Sequence, residues 1–213
     1  MEEIVFATGN ISKGKRFEQG LLEHNIKTLT LRDLDIKLEV EENGKDAIEN
    51  ARIKARECYR LTGKASMGMD DTLYLEGVPE DKQPGLFVRR VNGKALSDEE
   101  MIEHYLGLVR KYGKDGKLNA KWIYGMVVIN GDGDESIYTW EKNNIYMVEE
   151  TSEVVNPGYP LNSITKLKPI DKYLSELTED KEKTKVDESD VVLFIVNSMK
   201  RKGEKKLVIS TKK

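Results

Sequence analysis

Ile4-Val5-Phe6-Ala7-Thr8-Gly9-Asn10-Ile11-Ser12-Lys13 begins with an apolar, partly β-branched run and breaks at a glycine and an asparagine. The run reads as a short buried strand. Beyond the break, Phe17, Leu21 and Leu22 recur at helical spacing, so residues 12–24 are expected to form a helix. A strand that turns directly into a helix is the repeating unit of α/β sheets. The turn between them exposes backbone N–H groups near the positive end of a helix dipole, which suits a phosphate. Lys13 adds a mobile ammonium as a point charge.

Further along, a second strand is expected near Thr28 to Leu31 and a strong helix from Asp46 to Leu61. That helix carries Ile48, Ala51, Ala55 and Cys58 on one face, and Gly63 stands where a C-terminal cap belongs. Strands are expected at Ala65–Met69 and Leu73–Leu75. Ser97 and Glu100 form a capping box for a helix to about Tyr112. Ala120 to Ile129 and Ser136 to Met147 flank Asn130-Gly131-Asp132-Gly133-Asp134, a hairpin signature. Helices near Asp171–Leu177 and Ser189–Met199 and a short strand at Lys206–Ser210 complete the expectation. The charged run Glu179 to Glu188 reads as a solvated connection. Together these elements predict a single domain over residues 1–213, α/β or α+β.

Composition excludes several classes. The 213 residues carry 35 basic and 38 acidic side chains, a net charge of −3, which argues against a nucleic-acid partner. The longest apolar run, Val191 to Val196, falls far short of the roughly 20 residues that span a bilayer, so no membrane partner is expected. The N-terminus shows no basic region or cleavage pattern, and a cytoplasmic location is the expectation. One cysteine, Cys58, excludes an internal disulfide and a cysteine-rich zinc site. His24 and His104 fall in helical segments away from the polar clusters, and no Ser/His/Asp or Cys/His arrangement offers a covalent nucleophile.

Two more clusters stand out. Glu41-Glu42-Asn43-Gly44 precedes the strong helix, on which Asn50 and Lys54 are four residues apart and share a face. Asp70-Asp71-Thr72 closes a predicted apolar strand. Paired carboxylates there are costly unless they bind a cation or accept hydrogen bonds. Magnesium takes oxygen ligands, often one or two protein carboxylates with phosphates and water completing the shell. Gly9 to Arg16 also satisfies G-x-x-x-x-G-K, but an arginine stands where a P-loop needs a metal-binding hydroxyl, and that reading is rejected.

In this order the clusters resemble the inosine triphosphate pyrophosphatase family. Thr8-Gly9-Asn10-Ile11-Ser12-Lys13 is similar to its T-G-N-x-x-K, and Glu41 to Ala55 to its E-E-x-G-x-x-x-x-E-N-A-x-x-K-A. Asp70-Asp71-Thr72 is similar to its D-D-S/T, and Pro84 to Arg90 to its P-G-x-x-x-x-R. The resemblance implies an elongated α/β domain with a long, mixed, twisted sheet, two lobes and a central nucleotide cleft. It implies hydrolysis of a nucleoside triphosphate to the monophosphate and pyrophosphate, and commonly a homodimer. Mg2+, with Mn2+ as a substitute, is then held by Glu42, Asp70 and Asp71, and Asp71 orients or deprotonates the attacking water. Thr8, Asn10, Lys13, Lys54, Thr72 and Lys183 contact the triphosphate, Tyr159 stacks on the base, and Arg90 closes the pocket.

The C-terminal half departs from the family. Its G-Y-D-P is here Gly158-Tyr159-Pro160, without the aspartate, and Asp187-Glu188-Ser189 occupies the stretch where S-H-R reads the purine. Acidic groups accept hydrogen bonds and suit an amino-bearing base edge. The expectation is relaxed or shifted base selectivity, with ITP favoured over ATP by no more than ~10²-fold, unless Lys185 or an arginine from a neighbouring loop supplies the donor. The alternatives are the same chemistry on another base, or a nucleotide-binding module without turnover.

Overall fold

The computed structural model describes residues 1–10, 13, 15–177 and 188–200. β1 (Glu2–Phe6) lies between two parallel neighbours, β2 (Ile26–Thr30) and β3 (Ser66–Leu75). The chain leaves β1 towards β2 on one side and returns to β3 on the other. That reversal opens a crevice beyond the carboxyl end of β1, the general ligand position of open α/β sheets. From β3 the pairing turns antiparallel. β6 (Lys117–Ile129), β7 (Glu135–Val148), β8 (Thr165–Leu167) and β9 (Lys172–Tyr173) complete a seven-stranded mixed sheet in the order β2-β1-β3-β6-β7-β8-β9. β4 (Arg90–Val91) and β5 (Lys94–Ala95) form a separate small hairpin.

One face of the sheet carries α2 (Ala47–Thr62), which follows α1 (Glu18–Glu23) in the chain. Asp46 caps α2 by accepting from the Glu49 N–H, and Gly63 ends it in the left-handed conformation at φ 63°. Two glycines let the helix press onto the strands. A Cβ on Gly68 would stand 2.1 Å from the Ala51 carbonyl oxygen, and one on Gly125 would stand 2.7 Å from the Ile48 nitrogen.

The opposite face carries two separate hydrophobic clusters. The first packs α1 and α4 (Ser189–Met199) against Met67, Met69, Met126 and Val128. The second packs α3 (Asp98–Tyr112) against Leu73, Leu75, Leu118 and Ile145. Strand alternation puts Asp71 on this face between Met69 and Leu73, in the band that separates the clusters.

Several expectations change. Within the span expected as one helix, 12–24, Lys13 and Lys15 are helical, Arg16 and Phe17 form a turn, and Glu18–Glu23 is a separate helical stretch. The two strands predicted around Asp70 are one continuous strand, and the carboxylates lie inside it rather than at its end. Lysines from elsewhere in the fold compensate them, a solution invisible to local reading. The helix expected at 171–177 is β9 followed by a 3-10 turn, Leu174–Glu176. The strand expected at 206–210 lies outside the described residues.

Candidate active site

β1 pairs with β3 only at Val5 and Phe6, so beyond Met67 β3 runs on past the end of its neighbour. The Thr8-Gly9-Asn10 turn and Lys13 lie beside that free edge. The Asn10 N–H donates to Thr8 Oγ1 at 3.1 Å, and Asn10 Oδ1 accepts from the Lys13 N–H at 3.2 Å. Lys13 Nζ then donates to Asp71 Oδ2 at 2.6 Å. Burial disfavours that ammonium, but the Asp71 carboxylate outweighs it and holds the Lys13 pKa above its ordinary value.

On the other face, Asp70 points towards α2. Lys54 Nζ stands 3.4 Å from Asp70 and 3.6 Å from Glu42, joining the two acidic motifs through one cation. The loop bearing Glu42 is held by the buried side chain of Asn50, whose Oδ1 accepts from the Gly44 N–H at 2.8 Å. A Cβ on Gly44 would stand 2.7 Å from that oxygen, which is why this loop needs a glycine.

A cavity of about 860 Å³ opens from Asp71 and Lys13 across the band between the clusters, towards Trp122, Lys142 and Tyr159. A second, of about 890 Å³, holds Thr8, Glu42 and Lys54, and Asn10 and Lys15 line both. In the first, Arg16 donates through Nε to Glu188 Oε1 at 2.7 Å and lies 4.8 Å over the Tyr124 ring and 5.8 Å over that of Trp140. Burial, partly countered by Arg16, pushes the Tyr124 phenol well above its ordinary value. Burial likewise raises the Tyr159 phenol. Lys142 moves the other way: burial, reinforced by Arg16 and opposed by Glu188, pulls its ammonium down to about 8.

A strand–turn edge with facing carboxylates and lysines, opening into a nucleoside-sized cavity, fits the phosphate-handling motifs read from the sequence. Residues 4–188 match the Ham1 family. The chain belongs to the Ham1 family. Among curated Ham1-like relatives, a dITP/XTP pyrophosphatase of Leptospira interrogans is 27% identical over 178 residues, 84% of this chain and 87% of the relative. One from Shewanella oneidensis is 33% identical over 115 residues, so the chain spans 53% of that relative's length. The solved Ham1 protein of Staphylococcus aureus shares the fold at a TM-score of 0.65 and 21% identity, over 84% of this chain and 88% of that one.

Within this Ham1 fold the expected site residues divide. Thr8, Asn10, Lys13 and Asp71 gather at the β1 edge, Glu42, Lys54 and Asp70 meet behind it, and Tyr159 lines the first cavity. Thr72 is buried and lines neither cavity. Arg90 sits in exposed β4, while its neighbour Arg89 lines the cavity and pairs with Asp98 at 2.7 Å. Lys183 and Lys185 lie outside the described residues. Glu188, assigned to a solvated run and to base recognition, instead holds Arg16, so its carboxylate is engaged.

The expected three-carboxylate metal shell is not assembled. Among the described residues no three His, Cys, Asp or Glu side chains are grouped to hold an ion. The physical reason is alternation: Asp70 and Asp71 are adjacent in a strand and point to opposite faces. The donors still suit a hard cation that arrives with phosphate oxygens, since such an ion needs only one or two protein carboxylates. Arg16 and Lys142 were missed by sequence reading. A signal for the second existed, because Tyr138, Trp140 and Lys142 alternate along one strand face.

Proposed function

We propose that this Ham1 protein hydrolyses non-standard purine nucleoside triphosphates (ITP, dITP, XTP) to the monophosphate and pyrophosphate, with Mg2+ or Mn2+ as cofactor. The observation that carries this reading is Asp71, a carboxylate inside a strand, exposed at the crevice beyond β1 and held by Lys13. Base and sugar occupy the cavity lined by Trp122, Lys142 and Tyr159, and the phosphate chain crosses the Asn10 turn towards Lys54.

Of the expected oxygen donors Glu42, Asp70 and Asp71, one or two at a time would hold the metal, which when bound would neutralise charge on phosphate oxygens. Asp71 orients the attacking water and takes its proton as the water oxygen bonds to the α-phosphorus. The bond from the α-phosphorus to the bridging oxygen breaks, and pyrophosphate leaves. Lys13 and Lys54 exchange their carboxylate partners for phosphate oxygens, as point charges that follow the substrate. Thr8 and Asn10 hold the turn against the phosphate chain. Tyr159 stacks on the base. By family resemblance the protein is a cytoplasmic homodimer, and light scattering in solution tests the second point.

Incubation with ITP and Mg2+ should release pyrophosphate, and EDTA should abolish the release. Orthophosphate as the product, or full turnover in EDTA, contradicts the proposal.

A further inference from the structure

Three adjacent strands cross the band between the two clusters, and each leaves polar or aromatic side chains there. β3 contributes Asp71, β6 contributes Trp122 and Tyr124, and β7 contributes Lys142. On β7, Tyr138 and Trp140 pack against the first cluster. The next residue on that face is a lysine, where the packing leads one to expect a third apolar group.

The local backbone is irregular at this point. Trp122 pairs with Lys142 and Ala120 with Ile145, so Lys121 alone stands opposite Asn143 and Asn144. This is a β-bulge, a device that re-aims side chains and recurs beside functional sites. It returns Ile145 and Met147 to the second cluster while leaving Lys142 at the cavity.

Among the described residues, the carboxylates near Lys142 are engaged elsewhere. Arg16 holds Glu188, Lys13 holds Asp71 and Lys121 holds Glu141. Among the described residues Lys142 is thus a half-buried cation facing a cavity without an ion-pair partner, and burial has already drawn its pKa down. Strand spacing and rise put its Cα roughly 12 Å from that of Asp71, two strands across and two residues along. An extended lysine side chain from there reaches the part of the cavity that a base fills when its α-phosphate is at Asp71.

We propose that Lys142 is a specificity-determining residue, whose ammonium donates to the oxygen at C6 of a 6-oxo purine. The inference rests on the pyrophosphatase reading and deepens it. An ammonium has three donors and no acceptor. It satisfies a keto oxygen, whereas a 6-amino group presents another donor and leaves the charge unpaired. The contact favours ITP and XTP over ATP, and by itself accepts GTP. It also supplies the donor that the missing His-Arg pair removes, from a strand rather than from the C-terminal segment.

The test compares kcat/KM for ITP and ATP in the wild type, Lys142→Met and Lys142→Arg, with IMP and AMP affinities measured by calorimetry. Lys142→Met should cut the ITP/ATP ratio by about ten- to a hundredfold, the range of one charge-assisted hydrogen bond, mostly through loss on ITP. Lys142→Arg, which keeps the charge and the donors, should retain most of it. An unchanged ratio in a Lys142→Met protein that melts cooperatively overturns the assignment. Binding separates the two failures. A wild type without turnover that still prefers IMP over AMP in a Lys142-dependent way defeats the pyrophosphatase reading and supports Lys142. Equal IMP and AMP affinities with normal turnover defeat Lys142 alone.

Discussion

At the reaction end of the cleft each carboxylate faces a lysine: Asp71 receives Lys13, and Lys54 stands between Asp70 and Glu42. At the proposed base end Arg16 and Glu188 close on one another beneath an aromatic row, and Lys142 faces the cavity without an ion-pair partner among the described residues. The first arrangement is neutralised from within, so a ligand has to open existing ion pairs and offer the lysines phosphate in exchange. The second is already open and lacks only an acceptor. On the proposed reading, chemistry and recognition therefore use opposite electrostatic strategies a few residues apart.

The sharpest way to break the comparison is at Asp71. Asp71→Asn keeps the shape and removes the charge, and should lower kcat by at least ~10²-fold, the scale of a positioned acid or base. Pyrophosphate release at the wild-type rate from a folded variant would remove Asp71 from the mechanism. Next, Lys13→Ala should weaken triphosphate binding about ten- to a hundredfold, the worth of a hydrogen bond to a charged group. Monophosphate binding should change far less, and equal losses by calorimetry would make Lys13 a general surface charge.

At the base end the expected effects are on stability. Arg16→Met leaves the Glu188 carboxylate partly buried without a partner and should cost about 1–3 kcal/mol, read from the urea midpoint. Adding Glu188→Gln should recover part of that loss, because the stranded charge is gone. If the double variant is no more stable than the single one, the pair is not a unit.

The smallest effect carries the opposite sign. The Lys142 pKa is lower in the folded chain, about 8, than in the unfolded one, so folding pays for keeping the ammonium at pH 7. Between pH 8 and the ordinary lysine value the unfolded state binds more protons, and stability rises with pH as this penalty is relieved. Lys142→Met should thus stabilise the protein at pH 7 by ~1 kcal/mol after screening by the half-open site. The advantage should fade as pH rises past 8 towards 10.5, which thermal melts across that range will show. A variant less stable than wild type at pH 7 would mean that Lys142 has a partner after all.

What was legible in the sequence was whatever depends on near neighbours. The cap of α2 at Gly63, the Ser97–Glu100 capping box and the Asn130–Asp134 turn all stand as read, because each is a hydrogen-bonding pattern within a few residues. The acidic strand was misplaced because its compensating lysines come from residues 13 and 54. Arg90 was preferred over Arg89 because a motif gives spacing, whereas an extended chain turns successive side chains apart. Arg16 was hidden beside a recognised motif, since its partner, Glu188, is 172 residues away.

The two glycines under α2 add a consequence of their own. The place of Lys54 over Asp70 is fixed by main chain lying on main chain, at Gly68 and Gly125, where even one methyl group has no room. Nothing there can turn about a side-chain bond to absorb a change. The cavity wall around Lys142, by contrast, is made of side chains, Trp122, Tyr124 and Tyr159 among them. On the proposed reading, a change in the side chains that meet the base would leave the placement of Lys54 over Asp70 where it is.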